Sequence, residues 1–153
     1  MAIIIKNKHD IEQMRISCKL AAEVLDFINP YVKPGVTTLE LDKLCHDYIV
    51  NVQQAYPSPL NYQPNPKGPA FPNSICTSVN SEICHGVPND KPLKDGDIVN
   101  LDITVYKNGY HGDTSRTFFV GDKVSPQAKR LVQITYESMW LGIQQVKPGN
   151  HLG

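Results

Sequence analysis

Apolar residues recur every three or four positions in three stretches of the chain, and this spacing predicts amphipathic helices. The first helix is expected over about 10–28 and ends at an Asn-Pro step. The second is expected from Thr37 to about residue 51, because a glutamate three residues after Thr37 completes a capping box. The third is expected to begin at Ser125, which precedes a proline at the first helical position, and to reach about residue 145.

Between the second and third helices the pattern changes to short apolar runs that are typical of strands. Strands are predicted near 75–79, 98–106 and 111–120. The last two flank an Asn-Gly dipeptide at 108–109, which favours a type I′ turn and therefore a β-hairpin. The proline-rich stretch 57–73 is expected to be a loop, and a disordered linker is the alternative interpretation.

Two carboxylates lie on opposite arms of this hairpin. With the turn at 108–109, residue 104 pairs with residue 113, so Asp102, Thr104 and Asp113 share one face. Asp102 is then diagonal to Asp113 at roughly 7–8 Å between backbones. A divalent cation commonly compensates two acids held so close, whereas a solvent-facing strand could carry them without one. Neighbouring residues are apolar and predict that both strands are buried: Ile98, Val99, Leu101, Ile103, Val105, Phe118, Phe119 and Val120.

Composition excludes several classes of protein. Fifteen basic and fifteen acidic residues cancel, so no basic surface indicates nucleic-acid binding. The apolar run near the N-terminus is too short for a signal peptide, and no stretch has the length of a membrane span. Four cysteines without a CxxC pair are expected to be reduced. These features predict a cytoplasmic protein that does not bind membranes.

Segments of the chain also resemble a known family, in order and with matching spacing. Residues 97–105 and 109–115 resemble the first metal-binding segment of the type I methionine aminopeptidases, which belong to peptidase family M24. Residues 57–62 and 74–80 resemble that family's substrate-pocket motifs, and residues 84–88 resemble its histidine motif. The resemblance begins at about residue 4 and continues to the last residue.

The resemblance implies a fold and an activity. The fold is α+β, the "pita-bread" architecture, of which this chain has the first of two pseudo-symmetric halves: an antiparallel β-hairpin with flanking helices. The activity is metal-dependent hydrolysis of the N-terminal methionine from nascent proteins, through two divalent ions that five protein ligands hold. Asp102 and Asp113 match the first two ligands. Carboxylates with a single imidazole suit Co, Mn, Fe or Zn.

The resemblance also assigns substrate contacts. His85 matches the family histidine that contacts the substrate and stabilises the tetrahedral intermediate, a catalytic role that needs a donor near the developing oxyanion. Tyr62, Phe71 and Cys76 match the apolar slot for the methionine side chain, with Pro59 at its edge. Ordinary core packing is the alternative for these four residues.

The sequence departs from the family in the region of the slot residues. Residues 63–70 make the connection between the slot residues about four residues longer than usual, and Asn73 stands where lysine is common. His111, which lies between the turn and Asp113, is interpreted as a support for the ligands at most. No chemical role is expected for the others: His9, His46 and His151.

A short repeat indicates an internal duplication. Val-Lys-Pro-Gly at 32–35 recurs at 146–149, and the helices before both copies share the phase of their apolar residues. We therefore expect residues 1–153 to form one incomplete domain, in which the second structural repeat starts at about 125–153. The other family ligands, one His and two Glu, would lie in that second half. The chain by itself is then expected to be inactive.

Two further function classes are weighed against the aminopeptidase. A non-catalytic pita-bread module could bind proteins, but such a module has no need of Asp102, Asp113 and His85. A related aminopeptidase of the same fold could prefer proline-containing or dipeptide substrates, although the slot residues favour methionine. The expected partner is a peptide or nascent protein with methionine first. That substrate is compatible with ribosome association, and a monomer is expected.

Overall fold

The computed structural model describes residues 3–151, and over this range the chain forms three α-helices, as the periodicity predicts. The helices are α1 at Lys8–Ile28, α2 at Thr38–Asp47 and α3 at Pro126–Gln144. A π-helical turn at Tyr48–Val52 continues α2, so the helical segment ends close to its predicted position.

The helix starts follow from their caps. Thr37 accepts a hydrogen bond from the backbone N–H of Glu40 at 3.1 Å, and the Glu40 carboxylate accepts one from the backbone N–H of Thr37 at 2.7 Å. This is the predicted capping box. Ser125 caps α3, also as predicted. Helix α1 starts two residues earlier than predicted because Asn7 forms a second capping box with Asp10.

The four strands of the described range form one antiparallel sheet. The strands are β1 at Tyr56–Pro57, β2 at Cys76–Val79, β3 at Ile98–Lys107 and β4 at Tyr110–Phe119. Strand β3 pairs with β4 along one edge, and with both β1 and β2 along the other. The short β1 was not predicted because a two-residue strand carries no periodic signal.

The hairpin has the predicted register. Asn108 and Gly109 both have positive φ, at 53° and 89°, and Lys107 pairs with Tyr110 across them. Thr104 therefore pairs with Asp113. The tight turn thus decides which side chains of the two long strands face the same way.

Helix α1 covers one face of the hairpin and forms the core with it. Gly112 on β4 lies against α1, and a Cβ built there would lie 2.1 Å from the Ser17 carbonyl. The Ser17 hydroxyl donates to the Tyr110 carbonyl oxygen at 3.0 Å. The core is made by alternate residues of β3 and by one stripe of α1: Val99, Leu101, Ile103, Val105, Ala21, Val24, Leu25 and Ile28.

The predicted burial of both strands is wrong for one face. Phe119 is exposed and Ile98 is only half-buried, whereas the other apolar strand residues named above are buried. On the opposite face of the hairpin, which carries Asp102, α3 lies across a wide cavity from Asn100 and Phe119 and buries no residue of its own. Alternation with period two explains the difference, because α1 can cover only one face of a two-stranded ribbon.

The turn that follows α3 repeats the geometry of the turn that follows α1. Gly35 and Gly149 have φ values of 89° and 88°. In both copies the N–H after the glycine donates to the carbonyl of the lysine, at 3.3 and 3.2 Å. Unlike α1, α3 has no buried residue. The duplicated turn agrees with the repeat in sequence, while the division into structural halves stays a prediction.

Among residues 3–151, no helix combines the length and the apolar character that a membrane span requires.

Candidate metal and substrate site

The two hairpin carboxylates lie on the face that α1 leaves open. Asp102 is half-buried on β3 and pairs across the sheet with Ser115, while Asp113 is exposed on β4 and pairs with Thr104. Burial raises the pKa of Asp102, and the charge of Asp113 and a hydrogen bond to it raise that pKa further. His85 acts in the opposite direction and lowers it. The charges of Asp113 and His85 therefore both act on the carboxylate of Asp102.

The donor set fits a divalent cation. The carboxylates of Asp102 and Asp113 offer hard oxygen ligands on neighbouring strands, and a bound cation would remove the repulsion that raises the pKa of Asp102. The side chains that could hold a metal in this part of the chain are thus the two that the hairpin was predicted to align.

The loop after β2 carries His85 to the same place. Gly86 approaches β2 closely: its carbonyl accepts from the Thr77 N–H at 2.8 Å, and its N–H donates to the Ser78 hydroxyl at 3.1 Å. A Cβ on Gly86 would lie 2.1 Å from the Thr77 carbonyl oxygen, so only glycine permits this approach. His85 itself has a φ of 55°. The exposed imidazole is thereby held beside the strands that carry the two acids.

One cavity of about 650 Å³ contains all seven predicted site residues. Cys76 and Phe71 form part of its wall, and Tyr62 is 63 % exposed at its mouth. Asp102 and Asp113 lie in the same wall as His85. The lining residues are Ser58, Pro59, Tyr62, Pro64, Pro69, Ala70, Phe71, Pro72, Cys76, His85, Val87, Asp102, Thr104, His111 and Asp113.

The proline-rich segment is a structured loop, which argues against the disordered linker. The backbone N–H of Asn61 donates to the Phe71 carbonyl at 2.9 Å, and that of Phe71 donates to the Tyr62 carbonyl at 2.8 Å. Ser58 donates its N–H to the Thr104 carbonyl at 2.9 Å. These bonds close the loop on itself and fasten it to β3, so its apolar residues wall the cavity.

The Cys76 thiol is part of the apolar wall and not a nucleophile. Cys76 is 7 % exposed, and burial followed by the charges of Asp102 and Asp113 raises its pKa to about 11. A thiol with that pKa is protonated near neutral pH, and the protonated form is a poor nucleophile and a poor metal ligand. All four cysteines are free.

Sequence reasoning missed several cavity residues and gave His111 at most a supporting role for the ligands. Its Nδ1 lies 2.8 Å from the Ser58 hydroxyl, and its ring lies 4.8 Å from the Tyr106 ring between centroids. It lines the cavity directly. The sequence did contain a signal for His111: it is two residues from Asp113, and strand side chains alternate with period two, so both side chains face the same side. The contribution of Pro64, Pro69 and Val87 had no such signal, since it depends on how two loops fold over the sheet.

Comparisons with known proteins identify the family of the chain. The family model "Metallopeptidase family M24" matches residues 12–153. The chain is 54 % identical to the methionine aminopeptidase of Rickettsia prowazekii over 153 residues, which are 100 % of this chain and 56 % of that protein. It is also 54 % identical to the methionine aminopeptidase of Escherichia coli K12, over 99 % of this chain and 55 % of that protein. The chain thus spans about half the length of the curated relatives it matches.

Comparison with solved structures identifies the fold. The crystal structure of the Rickettsia prowazekii methionine aminopeptidase matches with a TM-score of 0.85 and 55 % identity, over 93 % of this chain and 54 % of that one. The methionine aminopeptidase from Thermotoga maritima matches with a TM-score of 0.89 and 32 % identity, over 99 % of this chain and 58 % of that one. The prolidase from Pyrococcus furiosus, with a TM-score of 0.77 and 21 % identity, shares the fold alone. The fold is therefore the α+β pita-bread fold, and the chain belongs to metallopeptidase family M24.

Proposed function

We propose that this chain supplies one half of the active site of a methionine aminopeptidase, a hydrolase that removes the N-terminal methionine of nascent proteins. The observation that carries the proposal is the single cavity that unites an apolar wall with two carboxylates and a histidine. The 54 % identity to methionine aminopeptidases along the chain supports the same activity.

The apolar wall is suited to the methionine side chain. Phe71 and Tyr62 offer aromatic surfaces, Cys76 offers a neutral thiol, and Pro59 closes the edge. A thioether gains about 0.3–1.5 kcal/mol from sulfur–aromatic contacts, beyond the gain from its burial. These four residues would therefore bind the first side chain of the substrate and leave its scissile carbonyl near the carboxylate end of the cavity.

The polar end would hold the metal. Asp102 and Asp113 are the proposed ligands in this chain, for a pair of divalent ions drawn from Co, Mn, Fe and Zn. When bound, such a pair supplies an activated water and polarises the scissile carbonyl. His85 would donate a hydrogen bond to the carbonyl oxygen as negative charge develops on it. Its position beside Asp102, which it influences electrostatically, supports that role.

Two carboxylates are fewer than the five ligands that the resemblance implies. Hydrated divalent ions bind weakly to so few protein oxygens, so we expect the 153-residue chain alone to be inactive. The completed enzyme is proposed to act as a monomer in the cytoplasm, where nascent chains with a first methionine emerge from ribosomes.

A chimera tests this function. The chain would be joined to the part of the Rickettsia prowazekii methionine aminopeptidase that lies beyond the matched segment. Methionine release from a Met-Ala-Ser peptide would be measured with added Mn²⁺ or Co²⁺, and an Ala-Pro peptide would serve as the control substrate. We expect release by the chimera and none by the 153-residue chain. Asp102→Asn in the chimera should lower kcat/KM by more than about 100-fold.

Two results would contradict the proposal. Equal release by the 153-residue chain would show that it needs no further ligands. Silence of the folded chimera, alongside an active Rickettsia prowazekii enzyme, would show that this half cannot serve as the site.

A further inference from the structure

A buried carboxylate behind the cavity wall has no part in the function described so far. Asp42 lies on α2 and is 8 % exposed. One of its oxygens accepts from the backbone N–H groups of Ser74 and Ile75, at 2.8 and 3.0 Å. The other oxygen accepts from the Asn73 side-chain amide at 2.8 Å. All three donors thus come from residues 73–75, directly before β2.

A second side chain of α2 contacts the same segment. His46, one helical turn after Asp42, has its Nδ1 at 2.7 Å from the Ser74 hydroxyl. Residues 73–75 have no partner in the sheet ladder, because the pairing of β2 with β3 begins at Cys76. Hydrogen bonds to a carboxylate are stronger than those between neutral groups. Asp42 therefore holds this segment where strand pairing does not.

The segment that Asp42 holds lies between cavity residues. Phe71 and Pro72 come just before it and Cys76 comes just after it, and all three line the cavity. Cys76 also pairs with Asp102 across the sheet. A shift of residues 73–75 would consequently move the proposed methionine slot on both sides of the segment.

We propose that Asp42 is a positioning residue, which fixes the Phe71–Cys76 wall of the cavity from behind and so determines the shape of the methionine slot. The proposal rests on the proposed function for the identity of the slot's ligand. The positioning itself can be measured without any activity.

The test compares Asp42→Ala with Asp47→Ala, which makes the same substitution at an exposed position of α2. The first readout is the rate at which iodoacetamide alkylates Cys76, mapped by mass spectrometry. The second is amide hydrogen exchange at Ile75, with Leu101 in the core as the internal reference. Asp42→Ala removes all three hydrogen bonds and should raise Cys76 alkylation and Ile75 exchange by roughly tenfold while Leu101 stays near its parent rate, and Asp47→Ala should change neither.

A conservative variant distinguishes the hydrogen bonds from general stability. In Asp42→Asn, the side-chain oxygen would still accept from the two backbone N–H groups, and the new amide nitrogen would donate to the Asn73 side-chain oxygen once that amide turns over. We expect Asp42→Asn to keep Cys76 alkylation within about threefold of the parent. Should Asp42→Ala fail to fold, Asn73→Ala removes one of the three bonds and should raise alkylation by a smaller factor.

Three outcomes would overturn the proposal: no acceleration at Cys76 and Ile75 in Asp42→Ala, equal acceleration at Ile75 and Leu101, or the same acceleration in Asp42→Asn as in Asp42→Ala. L-methionine titrated against the chimera described above separates this question from the function. Weaker binding by the chimera with Asp42→Ala than by the chimera with the parent half supports the positioning of the slot. If the chimera with the parent half does not bind L-methionine, the result counts against the proposed function, and the thiol and amide readouts still decide the role of Asp42.

Discussion

Helices α1 and α3 precede the same Val-Lys-Pro-Gly sequence but have very different surroundings. Both are amphipathic, and both lead into Val-Lys-Pro-Gly with the same turn geometry. Helix α1 buries one stripe of residues against the hairpin: Ser17, Ala21, Val24, Leu25 and Ile28. Helix α3 buries none and exposes large apolar side chains: Leu131, Ile134, Tyr136, Met139, Trp140, Leu141 and Ile143.

The difference shows what an amphipathic pattern means. The pattern shows which face of a helix is apolar, but it does not show whether another segment of the same chain packs on that face. In this molecule one face of the hairpin packs against α1, and the other face of the hairpin carries the candidate site. Stability should therefore depend on the α1 side, whereas α3 and the site face should tolerate substitution.

The largest expected effect is at Gly112. Gly112→Ala places a Cβ 2.1 Å from the Ser17 carbonyl, so α1 must move away from β4. We expect a loss of about 4 kcal/mol in the free energy of unfolding, measured by urea denaturation. Gly109→Ala is not a suitable control because that residue has positive φ. Gly142→Ala in α3 is suitable, since a Cβ there meets nothing within 4 Å. A parent-like stability for Gly112→Ala would show that α1 is not seated against β4.

The next effect compares equivalent positions of the two helices. Leu25 is 2 % exposed, and its counterpart in the repeat, Met139, is 48 % exposed. Leu25→Ala should cost about 3 kcal/mol through lost burial and a residual cavity. Met139→Ala should change stability by no more than about 0.5 kcal/mol. The midpoints of thermal unfolding would measure both, and similar losses at the two sites would remove the distinction between the helices.

A smaller effect, of opposite sign, is expected inside α3. Gly142→Ala replaces a flexible residue with a strong helix former in open surroundings. It should raise the free energy of unfolding by about 0.5 kcal/mol, through helix propensity and reduced freedom of the unfolded chain. Circular dichroism during urea denaturation gives the measurement. A loss of stability would mean that α3 packs more tightly than its exposure indicates.

The smallest effect concerns pH and the site face. The pKa of Asp102 is raised in the folded chain, so the folded state binds its proton more tightly than the unfolded state. Without metal, this group lowers stability as pH rises from the unfolded pKa, near 3.8, through the higher folded one. Asp102→Asn should therefore be slightly more stable than the parent at pH 7 and equal to it at pH 3. Unfolding midpoints at the two pH values, without metal, would measure the difference, and a less stable variant at pH 7 would contradict the sign.

Local features of the fold were predictable from the sequence. The capping box at Thr37 and the hairpin register around 108–109 depend on contacts between near neighbours, and both were predicted correctly. The shared face of Asp102 and Asp113 follows from that register. The slot residues were predicted from the family resemblance and not from their pattern, because aromatics and cysteines are as common in ordinary cores.

Other features depended on contacts between distant segments. The burial of Phe119 was wrongly predicted, and the cavity position of His111 was not recognised. The hydrogen bonds from Asp42 to residues 73–75 join positions more than thirty residues apart, and no local pattern indicates them.

The sequence by itself determined the helices, the turn, the strand register and the alignment of the two acids. Each of these is a consequence of hydrogen bonding and side-chain period within a few residues. Only the tertiary structure decided which apolar faces are covered, how the proline-rich loop folds over the sheet, and that Asp42 braces the cavity wall. Those features arise from packing between segments far apart in the chain, where periodicity specifies a face but not its partner.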